Sequence, residues 1–131
     1  PAGWLPSWSH RDRALLVLVK TYHESSRWSL AVHSGRKKGD QGRSTCLGQI
    51  MYGHWIKRSL WASLAGTGPS ATYRCIRVVV AYLARSRRRC ASGQGPNASS
   101  AALTYSLYAT GYTCGPIGLA RKRGRHFARL R

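Results

Sequence analysis

Apolar and polar positions along the chain fall into a few regularly spaced segments joined by stretches rich in glycine, serine or charge. Residues 13–22 form an apolar run dense in Leu and Val, and beyond it Trp28, Leu30 and Val32 alternate with Ser29, Ala31 and His33. Joined by the polar stretch His23, Glu24, Ser25, Ser26 and Arg27, the two read as a β-hairpin. A helix with Asp12 as its N-cap competes for the first run, and periodicity does not separate the two readings. Over residues 47–65, Leu47, Ile50, Met51, Trp55, Ala62 and Ala65 recur at helical steps, with Gly66, Gly68 and Pro69 immediately after. This predicts a well-punctuated helix with Lys57 and Arg58 to one side, weakened by ~1 kcal/mol at each of Gly48 and Gly53.

Residues 72–90 carry more information. At 100° per residue, Arg74, Arg77, Arg85 and Arg88 fall within about 80° of one another, while Cys75, Ile76, Val79, Tyr82 and Leu83 take the other side. The result is an arginine-striped amphipathic helix whose stripe suits a strand of phosphates and whose apolar face suits the hairpin. Against it stand the strand preference of Val78, Val79 and Val80 and the accidental stripes that any chain this rich in Arg produces. Residues 91–101 read as a linker. Leu103, Tyr105 and Leu107 alternate with Thr104, Ser106 and Tyr108, which predicts a strand ended by Gly111 or by Gly115 and Pro116. The expectation is an α+β fold: a small single domain over residues 13–115, built from a β-hairpin and two helices. An irregular arm at 1–12, with Trp4 and Trp8 free to lie on a surface, and a basic tail at 116–131 complete it.

Charge changes the picture most. The chain has 131 residues, 43% of them apolar, enough for a modest core. Against 22 Lys and Arg stand three acids, Asp12, Glu24 and Asp40, for a formal net charge of +19. With a Debye length of about 8 Å in physiological salt, like charges this dense oppose compaction and call for a polyanionic partner. Seventeen of the cations are Arg, whose planar fork binds phosphate bidentately and stacks on bases, so nucleic acid is the expected polyanion. The loop at 34–44 offers Arg36, Lys37, Lys38 and Arg43 among three glycines, as a mobile contact rich in backbone N–H groups. It is not a Walker A loop, because Lys37 stands where that motif requires Gly. The tail adds Arg121, Lys122, Arg123, Arg125, Arg129 and Arg131, six cations in eleven residues. It is expected to be disordered until it meets nucleic acid, with His126 and Phe127 available to stack; a nuclear-localisation signal is the competing meaning.

Four cysteines, Cys46, Cys75, Cys90 and Cys114, contain no C-x-x-C pair, which argues against zinc. No cofactor or metal is expected. Two disulfides could form in any of three connectivities, but the run at 14–19 is too short and too closely flanked by charge for a secretory signal, so reduced, buried thiols are the preferred reading. The same absence leaves the sequon Asn97, Ala98, Ser99 without a route to glycosylation. No apolar stretch approaches membrane-spanning length. A mitochondrial presequence is rich in Arg and Ser and poor in acids, but here the whole chain has that composition.

Catalysis is not expected. His10, His23, His33, His54 and His126 sit in no recognisable motif with the three carboxylates. A cationic ribonuclease using His10 and His126 is the most specific enzymatic alternative. The composition resembles that of ribosomal proteins as a class, which implies a structural RNA-binding component that neutralises and locks rRNA. Its location would be intracellular, on a cytoplasmic or organellar ribosome, with other ribosomal proteins as neighbours. The alternatives are a cationic secreted or membrane-active disulfide protein, and an unselected reading frame. One Phe, one Asn and one Glu beside 17 Arg and 15 Ser is also what a GC-rich message encodes in an unselected frame, a case that ribosome profiling separates.

Overall fold

Helix formation dominates the chain, and the first helix begins where the irregular arm was expected to continue. The computed structural model describes residues 8–53, 56–111, 113–115 and 117–131. Trp4 and the other residues of 1–7, with His54, Trp55, Tyr112 and Pro116, lie outside the described residues. In chain order the elements are α1 (His10–Glu24), α2 (Leu30–His33), a 3-10 turn (Asp40–Gly42), β1 (Ser44–Thr45), β2 (Ile50–Met51), α3 (Arg58–Ala62), α4 (Pro69–Cys90), α5 (Ala98–Thr110) and α6 (Gly118–Leu130). Among the described residues the fold is therefore α+β, with six helices and one antiparallel hairpin pairing Ser44 with Met51 and Thr45 with Ile50. The chain divides into two compact units, residues 1–20 with 80–131, and residues 21–79.

The hairpin expected over 13–33 is not there; α1 and α2 occupy those segments. The cap is Ser9, not Asp12. The Asp12 backbone N–H donates to Ser9 Oγ at 3.0 Å and Ser9 Oγ donates to the Asp12 carboxylate at 2.8 Å, a reciprocal closure that nucleates the first turn. Leu16, Val19 and Lys20 are then buried at helical spacing. Residues 26–28 leave the helix with positive φ, held by Ser25, whose hydroxyl donates to Thr21 O at 2.6 Å and accepts from the Trp28 N–H at 2.8 Å.

In the unit of residues 21–79, the helix expected over 47–65 is replaced by β2, a bend and the short α3. Cys46 and Gln49 have φ of +59° and +47° and Gly53 has +121°, conformations that a helix does not contain. Of the two glycines that weakened the expected helix, Gly53 is one of the places where it fails. Cys46 is bonded to Cys75, and Ile50, Leu64, Cys75 and Val79 are buried with Val32 as the core. His33 Nε2 lies 2.9 Å from Thr72 Oγ1, and the Gly66 N–H donates to His33 O at 3.1 Å.

In the other unit, residues 98–110, divided between an expected linker and an expected strand, form α5. Asn97 caps it by accepting from the Ser100 N–H, with Ser100 reciprocating, and Gly111 ends it at φ +79°. Residues 100–102 and 104–107 are all buried. A helix covered on nearly every side shows no amphipathic stripe, and the alternation of Leu103, Tyr105 and Leu107 filled that silence with a false strand signal. The C-terminal segment is not a disordered tail. It forms α6, which buries Ala120, Arg123, Gly124 and Phe127. A Cβ on Gly124 would collide with the Ala98 carbonyl oxygen and come within 3.0 Å of Ala102 N and Cβ, so the two backbones approach as closely as glycine allows. Phe127, fully buried, stacks on Trp8 with centroids 5.5 Å apart; neither ring is free for a base. Cys90 pairs with Cys114.

Candidate polyanion-binding surface

The folding of α6 sorts its cations into two groups. With one face buried through Ala120, Gly124 and Phe127, helical geometry points Arg121, Lys122, Arg125 and Arg129 away from the core. All four are exposed, and they fall within an arc of about 100° along about 12 Å of axis. Arg123 belongs to the other group: only 8% exposed, it lies on the buried side, where its charge lowers the Tyr105 phenol against the larger effect of burial, which raises it well above 10. Arg131 is also partly committed, its Nε donating to Asp12 Oδ1 at 2.9 Å, while Arg11 donates to Leu130 O at 3.3 Å. Thirteen cations share this unit with a single carboxylate. That carboxylate, Asp12, is buried and held by Arg131 and Ser9, which leaves the exposed arginine face of α6 without a counter-charge of its own.

The arginine-striped helix is present as α4. Cys75, Val79 and Leu83 are fully buried, while Arg74, Arg77, Arg85 and Arg88 are all exposed. Arg74 and Arg77 belong to the unit of residues 21–79, and Arg85 and Arg88 to the other. Arg74 Nε donates to Ser63 O at 3.1 Å, and the Arg77 guanidinium lies 5.7 Å from the Tyr73 ring. Between Arg85 and Arg88, Arg87 has a structural task that its sequence position concealed. It is buried, 4.9 Å from the Trp8 ring, and donates to Ala91 O and Gln94 O, holding the turn after α4. Burial lowers its pKa from the usual arginine value, but the two carbonyls and the indole face favour the charged form.

The basic loop at 34–44 is folded, not open. Backbone N–H groups of Lys37, Gly42, Arg43 and Ser44 donate to Ala31 O, Gly39 O, Asp40 O and Gly39 O respectively. These four donors are used internally and are not available to an anion. Arg36, Lys37, Lys38 and Arg43 are all exposed. Asp40 turns its carboxylate to the Ser44 hydroxyl.

A groove of about 270 Å³ beside α6 is lined by Ala98, Ser99, Ala102, Leu103, Arg121 and Arg125. No described cluster of three or more His, Cys, Asp or Glu could hold a metal ion, and all four cysteines are paired. This corrects the expectation of reduced thiols: 29- and 24-residue separations in sequence become Cα distances of 6.2 and 5.2 Å. No family model, curated protein or solved structure matches the chain. His10 Nδ1 faces the Arg13 guanidinium at 3.3 Å, His33 faces a threonine hydroxyl, and His126 lies half-buried on α6. Among the described residues no helix is long and apolar enough to cross a membrane.

Proposed function

We propose that this chain is a structural RNA-binding protein of the ribosomal type, which neutralises and locks folded RNA and does not catalyse. One observation carries the reading: α6 buries its small and aromatic residues and turns Arg121, Lys122, Arg125 and Arg129 together toward solvent. Among the described residues of its own unit, whose single carboxylate is held by Arg131 and Ser9, this row of four cations gains little from the protein itself. It gains from phosphates, by releasing their condensed counterions. The exposed residues of the 34–44 loop and of α4 extend the same chemistry.

The test is RNA affinity as a function of salt. Each phosphate contact to a single strand contributes about −0.7 to the slope of log affinity against log salt. Replacing Arg121, Lys122, Arg125 and Arg129 by Gln should make that slope shallower by about 3. Affinity that is unchanged between 50 and 200 mM salt, conditions over which phosphate contacts typically lose orders of magnitude, would overturn the reading.

The paired cysteines favour a second reading, a secreted or membrane-active cationic disulfide protein, because disulfides persist in oxidising compartments. Intact mass of the native protein before and after reduction decides between them. Four free thiols would eliminate the secreted protein, and two native disulfides would move the site of action out of the cytoplasm.

A further inference from the structure

We infer that Tyr52 and Trp61 form a stacking platform for an unpaired base beside the basic loop, so that the protein distinguishes single-stranded from duplex RNA; this rests on the RNA-binding reading above. The platform lies wholly within residues 21–79. Trp61 on α3 is fixed by its indole N–H, which donates to Ile50 O of β2 at 2.8 Å. Tyr52, the residue after β2, meets it edge-on with centroids 5.8 Å apart and keeps 45% of its surface exposed.

The loop joins this pair at two points. Lys38 Nζ lies 5.1 Å from the Trp61 ring centroid, and the Tyr52 N–H donates to Arg43 O at 2.7 Å. An anchored Trp61 and an accessible Tyr52 thus lie next to exposed Arg43 and Lys38, with Lys37 and Arg36 further along the loop. Aromatic faces bind any base whose own face is free, while adjacent cations bind its phosphates. In an A-form duplex the bases are stacked and enclosed, so only the cations find a partner. Charge alone would bind both forms; the ring adds a preference for one.

The experiment uses the full oxidised chain and fluorescence anisotropy, with a labelled oligouridine and a blunt RNA duplex at one salt concentration. Tyr52→Ala should weaken oligouridine binding about fivefold or more and leave duplex binding unchanged, while Tyr52→Phe keeps wild-type behaviour on both. Equal loss on both RNAs, or no loss on either, would overturn the platform while salt-dependent binding of the wild type kept the broader reading intact. Wild-type protein that bound neither RNA would remove both.

Discussion

Replacing Gly124 by Ala sets two effects of known sign against each other. In a helix interior the substitution is worth about 1 kcal/mol in favour of Ala, through the backbone freedom that glycine loses on folding. Gly124 faces α5, however, and a methyl there would collide with the Ala98 carbonyl oxygen and press to 3.0 Å on Ala102 N. Both are backbone atoms of a capped helix, so relief requires α5 and α6 to separate. Overpacking of this kind costs about 1–3 kcal/mol, and separation also loosens the contacts of Phe127 and Ala120. The expected balance is a loss of up to about 2 kcal/mol, or a fall of up to about 10 °C in Tm for a domain of this size. Thermal unfolding followed by circular dichroism, with the disulfides intact, measures it. Gly118→Ala on the same helix is the control, since a Cβ there meets nothing within 4 Å, and it should be neutral or slightly stabilising. A Gly124→Ala protein melting above wild type would refute the close approach of the two helices, and with it the account of why four cations share one exposed face.

Two further perturbations follow from the same unit. Phe127→Ala removes a fully buried ring and its stack on Trp8 and should cost about 3–5 kcal/mol, read as a lower denaturant midpoint. Tyr105 is buried and donates to Leu16 O at 2.9 Å, and burial raises its pKa in the folded state. The raised value means that its contribution is fully present below pH 10 and is lost as pH climbs through the folded pKa. Tyr105→Phe should therefore lose about 1 kcal/mol at neutral pH and decline less steeply than wild type above pH 10. Parallel unfolding curves at pH 8 and 10.5 check it, and identical slopes for the two proteins would contradict the assignment.

Helix α4 could be read from the sequence despite the strand preference of Val78, Val79 and Val80: Cys75, Val79 and Leu83 repeat on one side and arginines on the other, and Gly68 precedes the helix that Pro69 opens. Helix α1 was ambiguous because a short run of Leu and Val satisfies strand and helix alike, and the cap contact between Ser9 and Asp12 lies outside that run. Helix α6 had a legible i, i+4, i+7 pattern in Ala120, Gly124 and Phe127, but six cations in eleven residues pointed to a solvated tail instead. The Tyr52 and Trp61 pair, nine residues apart, left no sequence signal, since only the bend before α3 brings those rings together.

The sequence by itself determined the excess of positive charge, its bias toward arginine and the two-faced character of α4, because charge and local periodicity are properties of the chain in any conformation. Tertiary structure alone decided which cations face solvent and which serve the fold. Arg87 and Arg123 differ from Arg88 and Arg125 only in which side of a helix they occupy, and that side acquires meaning when a partner helix covers it. The pairing of Cys46 with Cys75 and Cys90 with Cys114 was decided in the same way. Covalent proximity across 24 to 29 residues depends on packing through space, which no local pattern encodes.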